Sequence, residues 1–300
     1  MYPTIKGKGC EISVVEASQS EQTSVQLITF VCKYWRAIHP EMLTHRDFSR
    51  NASSTRAIPT AKLIEQIRTN PAGPVHWGKN QPGMQAQEEC DAPVIHPRTG
   101  EELPREVAWQ LAAHDAADWA EAFTNAGYHK QLAGRITEPF GWITVVITAT
   151  SWNNFYALRA HADAQPEIRD VAETMLKIVH DVPMRIVDDT DMKDQRSWHL
   201  PFVSIQERHE HPVPILLAMS SARCARTSYL THDKQNPSWE QDDGLYHRLV
   251  AAEPRHASPI EHQAYNLGKQ HRCNNFTGGW IQHRALFGPM ETIEEFRKQF

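Results

Sequence analysis

The sequence has no CxxC pair, no apolar run long enough to cross a bilayer, and no excess of basic residues. Five cysteines (Cys10, Cys32, Cys90, Cys224 and Cys273) are odd in number and widely spaced. That argues against a disulfide framework and for reduced thiols in a cytoplasmic setting. The opening MYPTIKGKGCEISVVEA carries no apolar segment of a secretory leader, and no membrane partner is expected. A formal net charge of −5 excludes a protein that coats nucleic-acid polymers through a broad basic face. GxxxxGK[ST], GxGxxG after a strand and GxSxG are all missing, so three common nucleotide-binding and hydrolase grammars are excluded. Paired metal-ligand spacing is missing too: His209, His211, Cys224 and Cys273 form no zinc pattern, and no metal is expected. There is no internal repeat and no low-complexity tract.

What is present is a globular chain of 300 residues, 40% hydrophobic and 22% charged, enough for one large domain or two ordinary ones. Glu11–Ala17 and Gln26–Trp35, rich in β-branched and aromatic residues, read as strands. A short helix follows Pro40, and Thr60 is placed to N-cap TAKLIEQIRT, whose Leu63, Ile64 and Ile67 share one face. The Pro- and Gly-dense stretch from Asn70 to Gly100 reads as an ordered excursion or lid. Pro104 starts a long alanine-rich helix that ends at Gly127. Trp142–Thr150 is either a buried strand or the start of a helix. Pro166 opens an amphipathic helix with Ile168, Val171, Met175, Ile178, Val179 and Val182 at helical spacing. Asp188–Arg208 reads as a polar, irregular boundary. Helices are expected from Pro212 through ILLAMSSARCARTSY and over Trp239–Ala252.

Four clusters carry possible chemistry. THRDFSRNASSTRAIP (Thr44–Pro59) gathers His45, Arg46, Ser49, Asn51, Ser53, Ser54 and Arg56. Arginine forks and hydroxyls near a turn make an anion site, although charged runs are often only solvated loops. NNFYALRAHADAQPEIR (Asn153–Arg169) puts Arg159 beside Asn154 at the end of a helix, with Phe155, Tyr156 and Leu158 as an apolar wall. In RHASPIEH (Arg255–His262), Ser258 and Glu261 have the spacing of a capping box. In SARCARTSY (Ser221–Tyr229), Arg223 and Arg226 share one helix face, and Cys224 between them is a candidate for a lowered pKa. Trp77, Trp142 and Trp280 lie outside clean apolar stripes and suit buried interfaces.

Together these segments resemble the flavin-dependent thymidylate synthases. THRxFSxNxSSxR resembles that family's RHRxxSxNExSxRY signature, and AGRITEP around Arg135 resembles its ARIVLP segment. NFYALRAHADAQPEIR resembles NFLxLRxxxHAQPEIR. ARTSY (Ala225–Tyr229) and HASPIEH (His256–His262) resemble ARxSY and HxSPFEH, which in the family precede the signature but here follow it. The chain is therefore similar to a rearranged or circularly permuted relative.

The resemblance implies an α+β fold, with a mixed or antiparallel sheet and long helices. It implies one domain over 1–300, with a flavin- and nucleotide-binding core at 1–187, an irregular connection at 188–210, and a segment at 211–300 that supplies the displaced motifs. It implies FAD held by His45, Arg46, Asn51, Ser258 and Glu261. A nucleotide would be held by Glu41, Ser54, Arg56, Arg135, Asn154 and Arg159, with Arg159 and His256 at the reaction. NADPH and methylenetetrahydrofolate are the implied co-substrates, and a homotetramer the implied assembly. The implied reaction is C5 methylation of a pyrimidine deoxynucleotide, most simply dUMP to dTMP. Departures from the family pattern are Thr44 for the first arginine of the signature, Ala52 for a glutamate, and Thr148–Thr150 for an NAR segment. Glu41 stands where the family has glutamine, and a carboxylate accepts from the amino group of cytosine. The alternatives are therefore methylation or hydroxymethylation of dCMP or dUMP in a modified-base pathway, or a non-catalytic nucleotide-binding relative.

Overall fold

The computed structural model describes residues 4–227 and 237–287. The chain begins with β1 (Ile5–Lys6), β2 (Cys10–Ser20) and β3 (Gln26–Trp35), and turns through α1 (His39–Leu43) into β4 (Ser49–Ala52) and α2 (Thr60–Thr69). A small hairpin of β5 (Val94–Ile95) and β6 (Glu102–Leu103) precedes α3 (Arg105–Asn125) and α4 (Lys130–Ile136). Then come β7 (Trp142–Ala149), α5 (Asn153–Arg159), α6 (Pro166–Asp181) and β8 (Arg185–Val187). The remainder holds β9 (Trp198–His199), α7 (Ile205–Glu210), α8 (Val213–Arg226), α9 (Trp239–Tyr246), β10 (Ala264–Asn266) and β11 (Trp280–Gln282). Six strands form the main sheet in the order β1-β2-β3-β7-β4, with β8 alongside β2. All its pairs are antiparallel except β2 with β8. A second sheet runs β11-β10-β9. The architecture is α+β, with an antiparallel-dominated mixed sheet.

Strand alternation divides the main sheet into two unlike faces. Ile28, Phe30 and Cys32 of β3, with Val145, Ile147 and Ala149 of β7, join Ile168, Val171, Met175 and Ile178 of α6 in the apolar core. Residues one register over, Thr29 and Thr148, face the C-terminal segment and are fully buried there. Ser49 and Asn51 of β4 face the same way. This polar face is the one that meets the displaced motifs.

The excursion over 70–100 is ordered through its aromatics and one arginine. Trp109 of α3 stands edge-on to Trp35, Trp77 and Phe140. Arg105 binds Glu89, Asp91 and the Cys90 carbonyl. The long helix buries only Ala113, Ala117 and Ala120, small enough to let it approach Ile64 and Ile67 of α2 closely. It ends before Gly127, which takes φ +87°.

Several expectations need correction. Thr60 is the first helical residue of α2, and Pro59 takes the cap position with no side-chain bond. Of the two readings left open for Trp142–Thr150 the strand holds, as β7 over Trp142–Ala149, paired along both edges by β3 and β4. The 188–208 stretch contains β9 and the start of α7, whose Ser204–Glu207 capping box is formed. The helix over Trp239–Ala252 is α-helical only to Tyr246 and widens into a π turn over His247–Ala251. Trp280 is a core residue, fully buried against Leu27, Val187 and Phe276. Ser228 and Tyr229 of the ARTSY motif lie outside the described residues.

Candidate active site

The opening stretch folds around an arginine that its motif gives no reason to single out. Arg50 Nη1 donates to the carbonyls of Met42 (3.1 Å), Leu43 (3.1 Å) and His45 (2.8 Å), closing the end of α1 onto β4. It sits at a variable position of the signature, so the pattern hides its role. His45 is thereby held between Phe48, on which it stacks at 5.6 Å, and the edge of Phe155 at 5.0 Å.

Arg159 reaches this turn from the end of α5, and not toward Asn154. Its Nη1 donates to Glu41 Oε2 at 2.7 Å, its Nε to His45 Nε2 at 3.1 Å, and its Nη2 to Thr44 Oγ1 at 3.3 Å. Burial, followed by the charges of Arg159 and Arg50, lowers the His45 pKa, so the ring is neutral with its proton on Nδ1. Two departures from the family pattern are thus one arrangement. An arginine at position 44 would set a second cation against Arg159, whereas Thr44 offers it an oxygen and Glu41 supplies the countercharge.

A cavity of about 430 Å³ lies where the separated motifs meet. The opening stretch contributes Asn51, Ser54, Arg56 and Ala57; HASPIEH contributes His256, Ser258 and Pro259; α8 contributes Ala225. Asn51 is the joint between them. Its Nδ2 donates to the Cys224 carbonyl at 2.5 Å, and its Oδ1 accepts from Ser258 Oγ at 3.2 Å. Arg56 is exposed at the rim, and among the described residues no carboxylate pairs with it. His129, Gln131 and Leu249 complete the wall and were not found by the sequence reading. His129 caps α4 by accepting from Gln131 N at 3.1 Å, a local signal that is available in the sequence once α4 is known.

Two expectations about this region are overturned. Ser258 and Glu261 form no capping box: the segment is a 3-10 turn, Ser258 bonds Asn51, and Glu261 pairs with Arg284. Cys224 is not acidified by its arginine neighbours, because burial pushes its thiol well up. Arg223 and Arg226 do lie on one helix, and both are taken up by carboxylates, Glu207 and Asp242. Arg223 lies 2.6 Å from Glu207 and 2.8 Å from Asp242, and Arg226 lies 3.0 Å from Asp242.

The remaining expected residues are not gathered into the cavity. Arg46 and Asn154 are exposed. Arg135 is 58% exposed and paired at 3.2 Å with Glu138, which also accepts from Thr55 Oγ1 at 2.7 Å. Arg36, unmarked in the sequence, lies beneath this loop, donating to the Ser53 carbonyl at 3.3 Å, and its Nε has no partner among the described residues.

The model of the thymidylate synthase complementing protein family matches residues 18–183, more than half of the chain. The match takes in the opening stretch and the Asn153–Arg169 run and stops short of the two displaced motifs. No curated protein matches the chain. Two solved structures of the UMP/dUMP methylase PolB from Streptomyces cacaoi, bound with 5-Br UMP and 5-Br dUMP, align at 14% identity and a TM-score of 0.39. They cover 57% of this chain and 88% and 89% of theirs. At that distance neither bears on the substrate. With the family's motifs matched in sequence and the displaced ones packed against them in space, the chain belongs to the thymidylate synthase complementing protein family, as an enzyme of the flavin-dependent thymidylate synthase type.

Proposed function

We propose that the protein transfers a one-carbon unit to C5 of a pyrimidine deoxynucleoside monophosphate, most simply methylating dUMP to dTMP. The carbon donor is methylenetetrahydrofolate, and FAD reduced by NADPH is the hydride carrier. The observation that carries this reading is the Asn51 joint, which brings the signature, ARTSY and HASPIEH segments to one cavity.

The donor set fits a phosphate-bearing ligand with a ring system. Among the described residues Arg56 has no carboxylate partner, Ser54 and Ser258 supply hydroxyls, and Ala57, Ala225, Leu249 and Pro259 supply an apolar wall. His45, Arg46, Asn51, Ser258 and Glu261 would hold the flavin, with Asn51 and Ser258 already oriented by each other. When bound, the flavin supplies the hydride and one-carbon redox chemistry. Arg56, Ser54 and Arg135 bind the nucleotide phosphate. Arg159, held in place by Glu41, His45 and Thr44, polarises the pyrimidine carbonyl and stabilises the charge that makes C5 nucleophilic. His256 stands exposed at the rim, where the folate would approach. The exposure of Arg46, Arg135 and Asn154 supports a site completed by another copy in a homotetramer. We read the chain as one domain acting in the cytoplasm.

A second reading changes the base. Glu41 is 2.7 Å from Arg159 and has a second oxygen to offer. Glu41 is an acceptor and Arg159 a donor, the types that the amino group and the N3 and O2 of cytosine call for. This favours dCMP, either methylated or hydroxymethylated, for a modified-base pathway.

Purified protein is expected to carry or take up FAD, seen as flavin absorbance, and to modify the nucleotide when given folate and NADPH. Mass spectrometry of dUMP and dCMP incubated separately decides the base and the added group. A protein that neither binds nor is stabilised by FAD would sink the proposal.

A further inference from the structure

Five fully buried side chains from five segments form a continuous polar chain between the main sheet and the C-terminal segment. Ser18 Oγ lies 2.8 Å from His199 Nδ1, and His199 Nε2 lies 2.8 Å from Thr29 Oγ1. Thr29 Oγ1 lies 2.7 Å from Thr148 Oγ1, and Thr148 Oγ1 lies 2.8 Å from His262 Nδ1. His262 Nε2, at the far end, is buried and has no partner among the described residues. Both imidazoles are neutral, because burial lowers the His262 pKa to about 3 and drives that of His199 well down.

Each hydroxyl and each neutral ring has one proton to give, so several donor orders are open until one proton is assigned. The Ser18 end of the chain settles which. Ser18 Oγ also faces Glu16 Oε1 at 3.4 Å, a carboxylate oxygen paired with Arg185 and Arg208. Only if Ser18 donates to Glu16 does the carboxylate meet a proton instead of a lone pair. His199 must then donate from Nδ1 to Ser18 and accept at Nε2 from Thr29. Thr148 donates to Thr29, and His262 donates from Nδ1 to Thr148.

The chain ends one residue past the 3-10 turn Ser258–Glu261 that walls the cavity. That turn is fixed at three points of the same sheet face: Ser258 on Asn51, the Glu261 carbonyl on Gln282 (itself on Ser49), and His262 on Thr148. Thr148 is the first residue of the TAT that departs from the family's NAR segment.

We propose that this one-directional chain locks His262 in its Nδ1–H form, and that Thr148 and His262 are thereby positioning residues for the cavity wall of Ser258 and His256. The link to ligand affinity rests on the function proposed above, whereas the chain and the turn do not.

The test compares Thr148→Val, which keeps the shape and removes the hydroxyl, with Thr148→Ser, which keeps the hydroxyl. In ligand-free protein, ¹⁵N spectra of the histidine rings should show His199 and His262 both as Nδ1–H tautomers. Amide exchange over 258–263 should rise about tenfold in Thr148→Val and stay near wild type in Thr148→Ser. An Nε2–H His262, or unchanged exchange in Thr148→Val, overturns the proposal. Affinities for FAD and dUMP should fall about tenfold in Thr148→Val and recover in Thr148→Ser. Raised exchange with undiminished affinity overturns the positioning role. If wild type binds neither ligand, the proposed function fails, and the tautomer and exchange results still decide the chain.

Discussion

The Ser258 hydroxyl donates to the Asn51 carboxamide at 3.2 Å across 207 residues of sequence. That bond, with the one from Asn51 to the Cys224 carbonyl, closes the rearranged motif order in space. Asn51 is only 9% exposed, so water replaces a lost partner poorly. Asn51→Ala should lower unfolding free energy by about 1–3 kcal/mol in urea titrations. Asn51→Asp should cost at least as much, because a carboxylate would face the Cys224 carbonyl oxygen without a proton to give. Both should weaken flavin uptake; a fully stable Asn51→Ala would disprove the joint.

Arginines of the two kinds should separate cleanly by mutation. Arg223 is buried between two carboxylates, and removing it leaves Asp242 with Arg226 alone and takes the ion-pair partner from Glu207. Arg223→Ala should destabilise the protein by about 3–5 kcal/mol. Arg56→Ala should leave the melting temperature within a degree or two of wild type and lower nucleotide affinity at least tenfold. Calorimetric titration with dUMP or dCMP alongside a thermal melt reads both quantities.

Glu41 and Arg159 should fail together. Glu41→Gln weakens the ion pair and replaces an acceptor edge with one that can also donate, so relative turnover should shift toward dUMP and away from dCMP. Arg159→Lys cannot bond Glu41, His45 and Thr44 at once, and kcat should drop by about a hundredfold or more. Unchanged base preference in Glu41→Gln would exclude the cytosine reading while leaving the enzyme class standing.

Acid should destabilise the fold before carboxylates titrate. Burial lowers the pKa of His262 and of His283 to about 3, and that of His199 well below its usual value. Unfolded histidines bind protons near pH 6.5, so the unfolded state takes up more protons below that value. The contribution is therefore complete above pH 6.5 and is lost as pH falls toward 3. For each of His262 and His283 the loss by pH 5 is roughly 2 kcal/mol. Urea titrations between pH 7.5 and 5 should show this slope, and His262→Gln should flatten it.

The thiols offer a quick check of packing. Cys10, Cys32, Cys224 and Cys273 are buried and Cys90 is partly exposed. A maleimide should label Cys90 promptly in native protein and the others only after denaturation. Rapid native labelling of Cys224 would contradict its enclosure beneath Gln263.

Much was legible in the chain itself. Local patterns determined β2, β3, α2, α3 and α6, because apolar periodicity and proline positions act over a few residues. The motif set determined the family, because its spacings survive rearrangement. What tertiary structure alone decided is which polar groups are free. Arg223 and Arg226 look as available as Arg56 in sequence, yet a guanidinium is spoken for only when distant carboxylates such as Glu207 and Asp242 fold against it. Thr148 reads as a lost functional residue until the sheet places it between Thr29 and His262. Hydrogen bonds and ion pairs reach about 3 Å in space without regard to separation along the chain, so their partners are set by the fold.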